Sequence, residues 1–381
     1  MPLTSRQRLL KVLRHEPTDR LPIVTTGLHP WHWSVEFLDY HPILEAAKRH
    51  GDFMVSMGLD TGFLYGDPST CERRTERREL PDGSRETTTT IVTPKGDLTS
   101  VRRRLPESGN WRVKALVESE EDLDKLMSIP YQPVRPDVSS FLAGRERVGE
   151  AGVAYFNGLH TPVGLLGGTM SEDFRAIFFF TQPKRLREIA EVMAERVHNL
   201  VDHLLAAGVG PAFRWYAMEP FTEPMMPPAF VEDFIVPYDT DLVRKIHQSG
   251  SYVVHHCHGR LGAMIEKMVR VGYDGVDCVE SPPANDVTLK EMFDRAEEAA
   301  GQDRAIFLWG YIQMDDLEHK TGEQVEHLVR EAVAVGGTDG RYVLGQAASP
   351  YMAHVPPRMQ ANWIRMIETG ARLSRGATND E

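Results

Sequence analysis

Cysteine is scarce. Cys71, Cys257 and Cys278 are the only three in 381 residues, too few and too scattered for a disulfide framework. That fits a reducing compartment and makes the cytoplasm the expected location. Long apolar runs are missing as well: none approaches the roughly 18 residues that cross a bilayer, and the N-terminus turns polar almost at once. A soluble chain without signal peptide or membrane span is therefore expected. Positive charge is in deficit, with a net charge of -12, which argues against nonspecific binding to nucleic acid or an anionic membrane. The one basic run, Arg102 to Arg104, reads as an exposed strand edge. No G-x-G-x-x-G strand-to-helix turn occurs, which counts against a doubly wound dinucleotide-binding sheet. No linker-like Pro/Gly/Ser tract separates apolar segments, so residues 1–381 read as a single domain.

What is present is a β/α rhythm. Thr4 and Gln7 form a capping-box pattern ahead of Leu9, Leu10, Val12 and Leu13 at helical spacing, and Pro17 ends that helix. Short apolar strands are expected near 22, near 54, and at about 153–156, 212–216, 251–255, 275–279, 305–309 and 341–344, with helices between them. That is the strand count of a (β/α)8 TIM barrel, whose active site lies at the C-terminal ends of the strands. Residues 73–104 break the rhythm. Pro81-Asp-Gly83 and Pro94-Lys-Gly96 separate Thr-rich alternating runs, so a β-meander is inserted near residues 70–105, read as a solvated ribbon or a contact in a homo-oligomer.

The densest chemistry is the run Ser251 to Arg260, SYVVHHCHGR. Side chains alternate along a strand, so His256 and His258 point one way and His255 and Cys257 the other. Two same-side imidazoles can share a metal ion. The next strand ends at Glu280, and ends of successive parallel strands lie side by side. The expected metal ligands are therefore His256, His258 and Glu280, either around one divalent ion or, in the blander reading, as hydrogen-bonded core groups. Cys257 and Cys278 are read as buried thiols facing the helices.

These residues carry a resemblance. The H-x-H and later Glu resemble the zinc site of cobalamin-independent methionine synthase. Together with Ser5 to Pro22, Pro237-Tyr238 and Trp309 to Gln313, the chain resembles the uroporphyrinogen decarboxylase superfamily, in particular its corrinoid- and coenzyme-M-linked methyltransferase branch. Two departures stand out. His258 occupies a position where those methyltransferases usually carry Cys, and their last-strand Cys is replaced by Leu344 to Pro350, LGQAASP. The arginine-rich substrate loop of the decarboxylases is replaced by Thr25 to Trp33, TTGLHPWHW, which argues against tetrapyrrole decarboxylation.

The resemblance implies a zinc-dependent methyltransferase moving a methyl group between a small methylated compound and a corrinoid (cobalamin) carried on a partner protein. With His in place of Cys, less charge is donated to the ion and it stays more Lewis-acidic. The alternatives are a metal-free decarboxylase or lyase, with Asp60 or Glu219 as acid and Tyr311 nearby, and a non-catalytic corrinoid- or metal-binding accessory protein. Other candidates at strand ends each have two readings. His160 either touches substrate or bonds a carbonyl, and Glu219 is either a base or further ligand or a turn residue. Asp60 is a site residue or a turn former. Tyr311 and Gln346 follow the last strands. Trp31 and Trp33 either wall an apolar substrate pocket or plug the fold.

Overall fold

The computed structural model describes residues 2–105, 110–216, 218–301 and 305–376. Its contacts divide the chain into two compact units, one of residues 1–59, 138–159 and 208–381 and one of residues 60–137 and 160–207.

The larger unit is organised on a parallel sheet of seven strands. They are β1 (Phe53–Met57), β6 (Gly152–His160), β7 (Ala212–Tyr216), β8 (Tyr252–His256), β9 (Gly275–Glu280), β10 (Phe307–Ile312) and β11 (Tyr342–Gln346), adjacent in that order. The intervening strands, β2 (Arg73–Glu79), β3 (Arg85–Ile91), β4 (Leu98–Arg104) and β5 (Asn110–Lys114), belong to the smaller unit. The expected first strand near residue 22 is present as two bridges: Ile23 pairs with Leu344 of β11, and Val24 pairs with Asp52 beside β1. A full eighth strand is not formed there.

One buried cluster runs along this sheet, from Val24 and Met54 through Val153, Ala212, Val254 and Phe307 to Val343. Leu9, Val12 and Leu13 of the first helix, Ser5–Leu13, complete it. That helix opens on the expected capping box between Thr4 and Gln7. On β9 the position is taken by Gly275, where a Cβ would come within 2.4 Å of the Phe307 ring. Glycine there gives its space to the aromatic side chain.

The helix is locked by charge. Arg8 donates to Asp19 and to the fully buried Asp52 at 2.7 Å each, and Arg20 reaches Asp52 at 2.9 Å. The Arg8, Asp19 and Arg20 positions of the opening run therefore have a structural role, tying the helix to the first two strand segments.

The smaller unit carries an antiparallel sheet in the order β2-β3-β4-β5, so the meander has a fourth strand beyond the expected 73–104. Arg102 to Arg104 lie on β4, paired on both sides, and do not form an edge. The same unit contains the long helix Pro183–Ala206, whose Leu186, Met193, Val197 and Leu200 are buried at helical spacing.

Candidate metal centre

Alternation along β8 carries its interior face from Val254, in the core cluster, to His256 at the strand end. The following loop returns His258 beside it, and the two imidazoles meet edge to face with centroids 4.9 Å apart. His255 points the other way and stacks on Tyr273 at 4.5 Å.

On β9 the alternation is broken. Trp309 of β10 pairs with Asp277, but the next residue, Gly310, pairs with Val279. Cys278 is thus the extra residue of a β-bulge, at φ 63°. Gly310 lies at φ 128°, and a Cβ on it would sit 2.8 Å from the Val279 carbonyl oxygen, so glycine lets β10 close against the bulge. The bulge overturns the reading of Cys278 as a thiol facing the helices. One donor atom from each of His256, His258 and Cys278 lies within 4.8 Å of the others. Cys257 is buried outside that group, its Sγ 3.6 Å from the His258 carbonyl oxygen.

Two carboxylates flank the cluster. Glu280 Oε1 is 3.5 Å from His258 Nδ1, and its Oε2 accepts from the Gly259 N–H at 2.8 Å. Burial raises the Glu280 carboxyl, but the hydrogen bonds from His258 and Gly259 outweigh it and the net shift is downward. Burial lowers the His258 imidazole, and the hydrogen bond and charge of Glu280 more than offset this. Glu219 Oε1 lies 3.2 Å from His256 Nε2.

Behind His256 sits a buried ion pair: Arg214 Nε to Asp277 Oδ2, 2.6 Å. His256 Nδ1 is 2.7 Å from both Asp277 Oδ1 and Arg214 Nη2. A bare Nδ1 accepts from the guanidinium, whereas a protonated one donates to the carboxylate and leaves Nε2 free as a donor atom toward the cluster. Burial would push Asp277 up, yet the charge of Arg214, and then of His256, brings it to about 2. Tyr216 and Tyr155 flank the guanidinium at 5.1 and 5.8 Å from their ring centroids.

A profile of the uroporphyrinogen decarboxylase (URO-D) family matches residues 146–368, the stretch that supplies β6 to β11 and every residue of this cluster. The chain belongs to the uroporphyrinogen decarboxylase family. No curated protein matches it. Among solved structures, a methyltransferase from Methanosarcina mazei is 15% identical with a TM-score of 0.59, over 97% of this chain and 99% of that one. This likeness shows a shared fold. A D-psicose 3-epimerase from Clostridium cellulolyticum H10 reaches 9% identity and a TM-score of 0.35 over 60% of this chain and 80% of that one. It carries no argument.

In this family member the other strand-end candidates are placed as follows. Gln346 is buried and donates to the Thr26 carbonyl oxygen at 2.7 Å, while Thr26 donates back to the Gln346 carbonyl oxygen at 2.9 Å. Tyr311 is raised by burial and bonds the Leu289 backbone, which directs it to the helix Leu289–Ala300 and away from the cluster. Gln313, at the end of the Trp309 to Gln313 run, is the β10 neighbour that bonds Glu280, a contact its position at a strand end did not announce. His160, in the smaller unit, bonds the buried Tyr65 hydroxyl through Nδ1 at 2.8 Å. Asp60 is exposed and accepts from the Gly62 N–H at 3.1 Å, a turn role. Trp31 lines a cavity of about 260 Å³ with His29, Val55, Met57 and Phe141. Burial, helped by His32, lowers His29 to about 4, so this imidazole is uncharged at neutral pH, while Arg147 also lines the cavity. Trp33 is 44% exposed and packs on Phe37 with ring centroids 5.6 Å apart.

A buried carboxyl lies on the outer side of β8. Tyr273, stacked on His255, donates to Asp239 at 2.5 Å. Burial raises Asp239 to about 7. Between the unfolded value of about 3.9 and that point, the folded protein holds a proton that the unfolded chain has released. Its stabilising effect is complete below the unfolded value and is lost as pH rises through the folded one, by up to ~1.4 kcal/mol per pH unit. Asp239→Asn is expected to flatten the fall in denaturation midpoint between about pH 4 and about pH 7. An unchanged slope in urea titrations would show that Asp239 is ionised in the folded state.

Proposed function

We propose that this chain is a metal-dependent methyltransferase, zinc first, that moves a methyl group between a small methylated compound and a corrinoid on a partner protein. The observation that carries the reading is the donor set at adjacent strand ends, His256, His258 and Cys278, with Glu280 beside them. Two imidazoles, a thiol and a carboxylate suit zinc, with iron and cobalt as other candidates. The set differs from the sequence expectation by the addition of Cys278. The fold shared with a methyltransferase supports the reaction class.

A zinc ion there would be held by His256, His258 and Cys278 and would supply a Lewis acid toward a thiol or hydroxyl. The protein's own groups do the rest. Asp277 accepts a hydrogen bond from the Nδ1–H of His256, which directs Nε2 into the cluster. The methyl group travels without its bonding electron pair, so the departing heteroatom must gain a proton, or the accepting one must lose it. Glu219, beside His256 Nε2, is assigned that proton exchange. A barrel completed by the bridging segment at Ile23 and Val24 would bring all of these strand ends to one mouth.

The test is metal analysis of the purified protein combined with methyl transfer, screening methoxylated and methylamine donors against cob(I)alamin and, in reverse, thiols against methylcobalamin. About one equivalent of zinc and metal-dependent transfer is the expected result. A metal-free protein that decarboxylates would support the lyase reading instead.

A further inference from the structure

The antiparallel sheet of the smaller unit distributes its charge unevenly between its two faces. Cross-strand partners point to the same side of a sheet. Arg77, Thr87, Arg102 and Arg112 are paired in sequence across β2 to β5, and Thr75, Thr89 and Ser100 form the row beside them. Arg73 pairs with Ile91 in the next row. On the opposite face the arginines are neutralised: Glu86 accepts from both Arg78 and Arg103, and Arg74 pairs with Glu72.

On the first face Arg85 pairs with Glu79 at one end, and at the centre the compensation is partial. Among the described residues Arg102 donates to the neutral Asn110, at 3.3 Å. Its direct cross-strand neighbour is another arginine, Arg112, which donates to Glu172 at 3.0 Å and to the Gly168 carbonyl oxygen at 2.9 Å. Like charges placed directly opposite one another destabilise a sheet, and a chain of net charge -12 has carboxylates to spare. These side chains surround a cavity of about 270 Å³, lined by Arg73, Arg102, Arg112, Thr87, Thr89 and Ser100, with Phe63 and Leu116 as its apolar wall.

We infer that this face of the inserted sheet binds a small organic oxyanion, with guanidiniums and hydroxyls holding a phosphate or carboxylate group and Phe63 and Leu116 receiving its apolar part. Guanidinium forks match both kinds of oxyanion, and hydroxyls complete the contacts in a cavity too small for a folded partner. The site uses none of the residues of the metal centre, so it stands whether or not the methyltransferase reading holds.

The experiment is calorimetric titration of the full chain with phenyl phosphate and, separately, with isophthalate, which distinguishes phosphate from carboxylate recognition. Saturable binding that weakens as salt is raised is expected for at least one probe. Arg102→Ala and Arg73→Ala should each weaken it by about tenfold, the loss of one charge-assisted contact. Arg78→Ala, on the reverse face, should leave it unchanged. Circular dichroism that matches the parent confirms that each variant is folded. Binding of neither probe, or binding that Arg102→Ala and Arg73→Ala leave intact, would overturn the inference.

Discussion

His258→Ala is expected to leave the purified protein with almost no bound zinc. The imidazole is one of three donor atoms that converge within 4.8 Å, and the Glu280 carboxylate beside it already has a backbone hydrogen bond. Loss of groups that merely orient metal ligands costs about 10 to 100-fold in affinity, so loss of a ligand should cost at least that. Cys278→Ser should weaken binding by a similar or larger factor, because a hydroxyl is a poor substitute for a thiolate toward zinc. Cys257→Ser should retain the metal, since its sulfur lies outside the cluster. Glu280→Gln reports whether the carboxylate is a ligand or a hydrogen-bond partner of His258: a drop in zinc comparable to that of Cys278→Ser assigns it as a ligand. Metal content by mass spectrometry after dialysis, with circular dichroism as the folding check, reads all four. If Cys257→Ser lost the ion while Cys278→Ser kept it, the bulge assignment and the donor set built on it would fall together.

The largest stability effect is expected at Arg214. Its guanidinium is buried against Asp277 at 2.6 Å, and the carboxylate is fully enclosed. Replacing arginine by leucine strands a carboxylate in a site where burial alone raises its pKa. Breaking a buried pair from one side typically costs about 3 to 5 kcal/mol. Urea denaturation of Arg214→Leu should show a loss of that order at neutral pH. It should shrink in acid, where the stranded carboxylate takes up a proton in both folded and unfolded chains. The double variant Arg214→Leu/Asp277→Leu should recover most of the stability, because no unpaired charge is left, yet should still bind zinc more weakly, because His256 has lost its Nδ1 partner. A single variant within about 1 kcal/mol of the parent would mean that Asp277 is solvated or protonated in the folded protein.

Local chemistry was legible in the sequence wherever it depended on neighbours a few residues apart. The capping box of Thr4 and Gln7 formed as spaced. The turns at Pro81-Asp-Gly83 and Pro94-Lys-Gly96 separate β2 from β3 and β3 from β4. The helical period of Leu186 to Leu204 was a true buried face. Period-two alternation placed His255 and His256 on opposite sides of β8. The opening run and the H-C-H segment, read together, pointed to the family that the profile match shows.

The remainder depends on pairings between distant parts of the chain. No property of residues 275–280 alone announces a bulge, because a bulge is a mismatch of count between two paired strands, here β9 and β10. That mismatch turned Cys278 toward the imidazoles. Arg214 and Asp277 are far apart in sequence and unremarkable in their own segments; only parallel strands closing around His256 make them a buried pair. The arginines of the meander were visible as residues, but their concentration on one face required the antiparallel register, including the offset at Val101 that sets Arg102 opposite Arg112. Sequence by itself determined most of the segments that become strands and helices, and the segment that carries metal-binding chemistry, since those are set by local period and residue type; the bridges at Ile23 and Val24 and the fourth meander strand β5 were exceptions. Tertiary structure alone decided which donors converge and which like charges face one another, since register and bulges exist only between paired strands.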